Sequence, residues 1–247
     1  MKLPRSVLLQ VLSRSFFLQA SWNYEQMQSL GLIYALTPAF RRYYSGAALL
    51  AAYRRHLEYF NTHPYLATTV IGAVLKLEEQ AQHGIDPGFT VSEFKSALVA
   101  PCAAMGDAFF WGAMRPVAAV VALLWAFQGS LWGPIFFIAL FNLPHFWFRV
   151  QGLIKGYGGG VRVVSTLQRW HLSDWAIYLK QALVVLLGFF AAVIGAAATE
   201  NVGAGIAWGL CAAPLIFGMC ALMRRRGSPL ILILVLSLLL LGWFQLH

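Results

Sequence analysis

Charged side chains are scarce in this sequence, and acids are the scarcer kind: nine Asp and Glu against eighteen Lys and Arg in 247 residues. A soluble domain of this length needs more charge than that to cover its surface, so a soluble globular fold is excluded. Cysteine is nearly absent too. Cys102, Cys211 and Cys220 lie among apolar or small residues without a CxxC pair, which excludes a disulfide framework and a thiolate metal site and leaves them as packing residues. No GxSxG elbow, Walker loop or HExxH helix occurs, and the only adjacent carboxylates are Glu78 and Glu79. The chain alone is therefore expected not to be an enzyme, and to bind neither a metal nor a cofactor.

What is present is apolar surface: 60% of the residues are hydrophobic, and the mean hydropathy is +0.67. The expected class is a membrane protein. Residues 182–198, 201–223 and 229–246 are free of charge and close to the roughly 17 to 25 residues that cross a bilayer. Residues 116–148 also lack Asp, Glu, Lys and Arg, and "QGS" at 128–130 splits them into a helical hairpin whose second arm is expected to be interrupted by Pro134 and Pro144. Placing the corners at 129–130 and 199–201 outside puts Arg115, Arg149, Lys155, Arg162, Arg169, Lys180 and Arg224–Arg226 on the cytoplasmic side, with His247 outside. The net charge of +9 then follows from topology, and with no recognition module in the sequence nucleic acid is not an expected partner. The amino terminus, "MKLPRSVLLQVLSRSF", imitates a signal peptide, but Arg14 cuts its apolar region short, so it is expected to be retained on the cytoplasmic side.

The first hundred residues hold apolar stretches too short for ordinary spans, such as "LGLIYALTPAF" and "PYLATTVIGAVLKL", and these read as half-membrane segments. Residues 78–95 read as a cytoplasmic loop, and "GYGGG" at 156–160 as a flexible joint.

Three polar islands interrupt this background. The first, "SWNYEQMQ", contains Glu25, the sole acid among the first 57 residues. Asn23 with Gln26 three residues later fits a helix start, while Trp22, Asn23, Glu25 and Gln28 also fit sugar recognition by carboxylate, amide and aromatic groups. The second, "RRHLEYFNTHPYL", is either a solvated helix face and exit or a site with a working histidine; His56 and His63 complete no metal-ligand set. The third, "APCAAMGDAFFWGAMRP", sets Asp107 among small and aromatic residues, with Arg115 as a candidate partner. An acid at that depth is a functional candidate or one half of a structural pair.

Taken together and in order, "QASWNYEQMQSLGLIYALTPAFRR", "HLEYFNTHPYLATTVIGAVLKLEEQ" and "PCAAMGDAFFWGAMRPV", followed by "GSLWGPIFFIALFNL", closely resemble the IID membrane subunit of the mannose/fructose/sorbose family of the bacterial sugar phosphotransferase system (PTS). The resemblance covers about residues 14–160. It implies an all-α membrane protein of multi-pass helices with re-entrant helical hairpins, in one domain over residues 1–247. An amphipathic, cytoplasm-proximal part would occupy 1–100, a hairpin core 101–150 and transmembrane helices 178–247. It also implies an inner-membrane sugar permease in which IID pairs with a IIC subunit, as a trimer of IIC–IID pairs in the lipid. A mannose-like hexose or amino sugar would pass to the IIA and IIB proteins, which carry the phosphate. Matched positions are Trp22, Asn23, Glu25, Gln28 and Asn61, expected at the sugar path, and Pro64, Gly106, Asp107, Trp111 and Arg115, expected to shape or gate it. Ala100 and Ala104 stand where the family has glycine, and the carboxyl-terminal part is short. These departures keep open a second function, a non-transporting anchor or sensor that docks PTS proteins.

Overall fold

A computed structural model describes residues 2–85 and 88–198, with scattered positions between 210 and 238. The chain divides into two compact units, Met1–Leu186 and Leu187–His247. The second holds the end of one long helix and those scattered positions. The spans expected over 201–223 and 229–246, with the corner at 199–201, fall almost wholly outside the described residues.

The described residues are helical, with only two isolated bridges between extended segments. Helix α1 spans Arg5–Ser15, α2 Ser29–Tyr43, α3 Gly46–His56, α4 Ala67–Gln82 and α5 Val91–Gly106. A π-helical stretch, Asp107–Met114, runs on into α6, Arg115–Phe127. After a turn come α7, Trp132–Gly159, a 3-10 turn, α8, Val163–Arg169, and α9, Leu172–Ala198. Among the described residues, two continuous stretches, Val91–Phe127 and Trp132–Ala197, are long and apolar enough to cross a membrane. The turn between them, with Gly129 at φ +73, falls where the sequence places the hairpin corner.

Helix α4 is the centre of the first unit. Ala67 to Leu75 are all buried, so its apolar surface runs right round, as expected of a helix enclosed by others. It lies against α7 at backbone distance. A Cβ on Gly156 would sit 2.4 Å from the Thr69 carbonyl oxygen, one on Gly72 2.6 Å from that of Leu153, and one on Gly152 2.5 Å from the Thr69 hydroxyl. Such small-residue contacts are how helices associate closely where the solvent is itself apolar.

Four expectations about elements are corrected here. Residues 78–95 are not one loop: α4 continues to Gln82 and a capping box between Thr90 and Glu93 starts α5, so the polar connection shrinks to 83–90. "GYGGG" is not a free joint, because Gly156 to Gly159 close α7 and Gly156 is locked against α4. Pro134 and Pro144 do not interrupt the second arm. Pro134 falls in the first turn of α7, where an N–H has no intrahelical partner, and the helix runs through Pro144. Asn23 does not start α2, whose first residue is Ser29.

Candidate functional site

The first island folds into a tight turn. The Asn23 side-chain oxygen accepts the backbone N–H groups of Glu25 (3.1 Å) and Gln26 (2.8 Å), and the Asn23 and Met27 backbones bond each other in both directions. An Asn at the head of such a turn satisfies locally the donors that a helix start would otherwise leave free. Met27 takes up a left-handed φ of 56° to close it.

That turn is joined to the second island. The Gln28 N–H donates to the Phe60 carbonyl at 2.8 Å. Its buried side-chain amide then grips the backbone of Thr62 at both ends, donating to the carbonyl at 2.9 Å and accepting the N–H at 3.1 Å. Thr62 in turn donates its hydroxyl to the Val99 carbonyl on α5 at 3.0 Å. Trp22, Glu25 and Asn61 remain exposed around this junction, while Gln28 and Pro64 lie inside it.

The second island meets the third through His63. Its ring stacks on Phe110 (centroids 5.0 Å apart, 12° between planes) and lies 5.5 Å from Trp111. This approach requires Gly106, because a Cβ there would fall 2.3 Å from the His63 Cβ. The His63 Nδ1 accepts the Tyr65 N–H, which assigns the proton to Nε2. That buried nitrogen has no hydrogen-bond partner among the described residues. Tyr65 also stacks on His145 at 3.8 Å, and His145 accepts from the Arg149 Nε at 3.0 Å. Arg149 is buried, donates to the Ser15 carbonyl at 2.9 Å and lies over the Phe16 ring, with no carboxylate in ion-pair range among the described residues.

Asp107 and Arg115 do not pair. Eight residues along one helix separate them by roughly 12 Å of rise, beyond the reach of a contact pair. Arg115 lies instead over the Trp111 ring at 5.4 Å, and Asp107 is exposed at the head of the π-helical stretch. Pro101 in α5 and Pro116 at the start of α6 flank that stretch, each withholding an N–H from the ladder. Widened turns of this kind recur at functional sites. Ala100 and Ala104 lie on the exposed face of α5, so neither widens a contact inside this chain.

A second polar constellation centres on Glu78 and Glu79, which the sequence pattern assigns to a loop and which lie on α4. Both are buried at the end of α4. The Glu78 carboxylate takes a two-pronged hydrogen bond from Arg55 (2.9 Å to each oxygen), one from His56 Nε2 at 2.8 Å and one from the Tyr44 hydroxyl. Burial raises its pKa, but the bonds from His56 and Tyr44 and the charge of Arg55 outweigh burial and hold it at about 2. Burial lowers His56 despite Glu78 beside it, leaving a neutral ring that donates through Nε2. Burial and the bond to Glu78 push the Tyr44 hydroxyl up to about 12. His56 is thus not part of a solvated face. Glu79 accepts from Lys76 at 3.0 Å and from the hydroxyls of Tyr43 and Tyr157, and Tyr157 accepts the Leu3 N–H at 2.7 Å, which ties the amino-terminal arm to α7. The missed signal was phase: the two acids continue the apolar run of a helix without a break.

Among the described residues no group of three His, Cys, Asp or Glu is placed to hold a metal. A family model for the IID component of the PTS mannose/fructose/sorbose family matches residues 2–246. The mannose-specific EIID component of Escherichia coli K12 is 42% identical over 170 residues, 67% of this chain and 60% of that protein. The fructose permease IID component of Bacillus subtilis 168 is 36% identical over 169 residues, 67% of this chain and 61% of that one. The chain thus spans about 60% of the length of these curated relatives. One solved membrane-protein structure superposes with TM-score 0.74 at 32% identity, over 99% of this chain and 98% of the other. A cryo-EM structure of the mannose transporter ManYZ with microcin E492 superposes with TM-score 0.62 at 30% identity, over 100% and 98%.

Proposed function

The chain belongs to the IID components of the mannose/fructose/sorbose family of phosphotransferase systems, and on that premise we propose that it is the membrane subunit of a mannose-type sugar permease. With a IIC subunit it forms the path by which a hexose or amino sugar enters the bacterial cell, while IIA and IIB proteins deliver phosphate to the sugar. It carries no phosphate itself. Three IIC–IID pairs assemble in the inner membrane with the basic ends of the helices on the cytoplasmic side. The likeness to the mannose transporter ManYZ along the whole chain supports a pairing of this kind.

One observation carries the reading. The three polar islands, far apart in sequence, are drawn into one junction by Gln28, Thr62 and His63, which leaves Trp22, Glu25 and Asn61 exposed beside it. A carboxylate, an amide and an indole face are the groups that hold sugar hydroxyls and the apolar face of a pyranose. In this proposal Asn23 and Gln28 fix the turn that presents them. Pro64, Gly106 and Trp111 shape the floor below, and Asp107 and Arg115 line the moving edge. Asp107, exposed within an apolar helix, finds its counterpart in the IIC subunit.

The test is co-expression of this chain with IIC, IIA and IIB proteins of the family in a permease-deficient strain. Uptake and phosphorylation of mannose, glucose, fructose or an amino sugar should return. Growth and uptake that stay absent for every sugar, with the protein present in the membrane, would overturn the reading in favour of a non-transporting anchor.

A further inference from the structure

We propose that the groove between α7 and the α8–α9 corner binds one anionic phospholipid, an acyl chain lying on Trp147 and Trp175 and the phosphate on Arg169. The proposal rests on the membrane reading above and adds to it a defined site with a headgroup preference.

The groove encloses about 480 Å³, and its lining includes Leu140, Pro144, Trp147, Trp170, Trp175 and Arg169. Its α9 wall follows from the helix period: Leu172 and Ala176 reach the core and Leu179 packs against it, whereas Trp175, Ile177 and Tyr178 on the other face are exposed. Arg169 is the one charged group in the lining. A site for a water-soluble ligand of this size brings several convergent polar groups to its apolar walls. One cation at the end of an apolar, indole-lined channel matches instead the division of a phospholipid into headgroup and tail. Trp side chains favour the depth at which headgroup and acyl chain meet.

The surrounding charge has the same sign. From residue 108 to residue 198 the only acid is Asp174, against Arg115, Arg149, Lys155, Arg162, Arg169 and Lys180. Asp174 is itself hydrogen-bonded to His171 at 3.0 Å, and Arg169 has no ion pair among the described residues. An arginine beside a membrane surface with no acid of its own is a phosphate receptor by charge and by geometry. A helix of another protein would need a dedicated carboxylate opposite Arg169 and a ridge shaped to three indoles, whereas a lipid brings both the charge and a conformable chain.

The experiment places the full-length protein in phosphatidylcholine nanodiscs containing a small mole fraction of acyl-brominated phosphatidylglycerol or acyl-brominated phosphatidylcholine, and reads quenching of tryptophan emission. Brominated phosphatidylglycerol should quench at least threefold more than the phosphatidylcholine at equal fraction. Arg169→Gln should remove the excess, Arg169→Lys should keep it, and Arg42→Gln on α2 should leave it unchanged. The exposed Arg169 side chain makes no hydrogen bond or ion pair among the described residues, so Arg169→Gln should elute from size exclusion as the wild type does. Equal quenching by the two lipids, or an excess that survives Arg169→Gln, would overturn the proposal. So would loss of the excess on adding the IIC subunit, which would make the groove a protein interface. Sugar uptake by the wild-type complex is measured separately, so failure of the lipid site leaves the transport assignment standing, and the reverse.

Discussion

Gln28 and Glu25 stand in the same turn, one buried and the other exposed, and substitution distinguishes the structural task of the first from the recognition proposed for the second. Gln28 gives both ends of its buried amide to Thr62. Gln28→Ala leaves the Thr62 backbone unpaired in the interior and should destabilise the protein by about 2 kcal/mol, seen as a lower thermal midpoint in detergent. Glu25→Gln removes an exposed charge that no described residue engages. It should leave the midpoint unchanged and abolish uptake; full uptake in that variant would remove Glu25 from the sugar path. Gly106→Ala belongs at this scale too. The added methyl meets His63 within 2.3 Å, so the ring must leave Phe110, at a cost of about 1–3 kcal/mol. A midpoint equal to wild type would show that the packing is looser than described.

At the scale of elements, α4 is held at one end by ionic contacts and along its length by close packing. Glu78→Gln leaves Arg55 and His56 without their carboxylate. The cost should be about 3 kcal/mol, at the low end for a buried pair because the Arg55 side chain is 37% exposed. The pH dependence has a definite sign. Glu78 is held at about 2 in the fold, below the ordinary carboxylate value of 4.5, so its contribution is complete above 4.5 and is lost as pH falls toward 2. His56 is also lowered from 6.5; its neutral form favours the fold above 6.5, and that contribution too declines on acidification. Stability measured from pH 7 downward should therefore fall, first through His56 and then through Glu78, and Glu78→Gln should flatten the lower part of the curve. On the packed side, Gly156→Leu forces α7 away from Thr69 and should prevent accumulation of folded protein. A normal yield with an unchanged midpoint would contradict the close α4–α7 contact.

The whole molecule is where topology is decided. The basic residues at the ends of the helices predict a cytoplasmic amino terminus and an external corner at residues 129–130. A cysteine introduced at Ser130 should be labelled in intact cells by a membrane-impermeant maleimide, while one at His83 should react only after lysis; the opposite pattern would invert the assignment.

Much of this was written locally and could be read without coordinates. The scarcity of charge determined the membrane class, "QGS" the hairpin corner, and the ordered islands the family, because solvent preference, turn chemistry and a run of rare residues are properties of contiguous sequence. Partnership across the chain was not written that way. Gln28 with Thr62, Gly106 with His63, Glu78 with Arg55 and Tyr44, and α4 enclosed against α7 are each pairings of distant segments. A Gln amide or a Glu carboxylate has the same local signature whether it meets water, a substrate or a backbone 34 residues away. Only the packing of α4 at the centre, by removing water from around those groups, decided which of them hold the fold and which remain exposed.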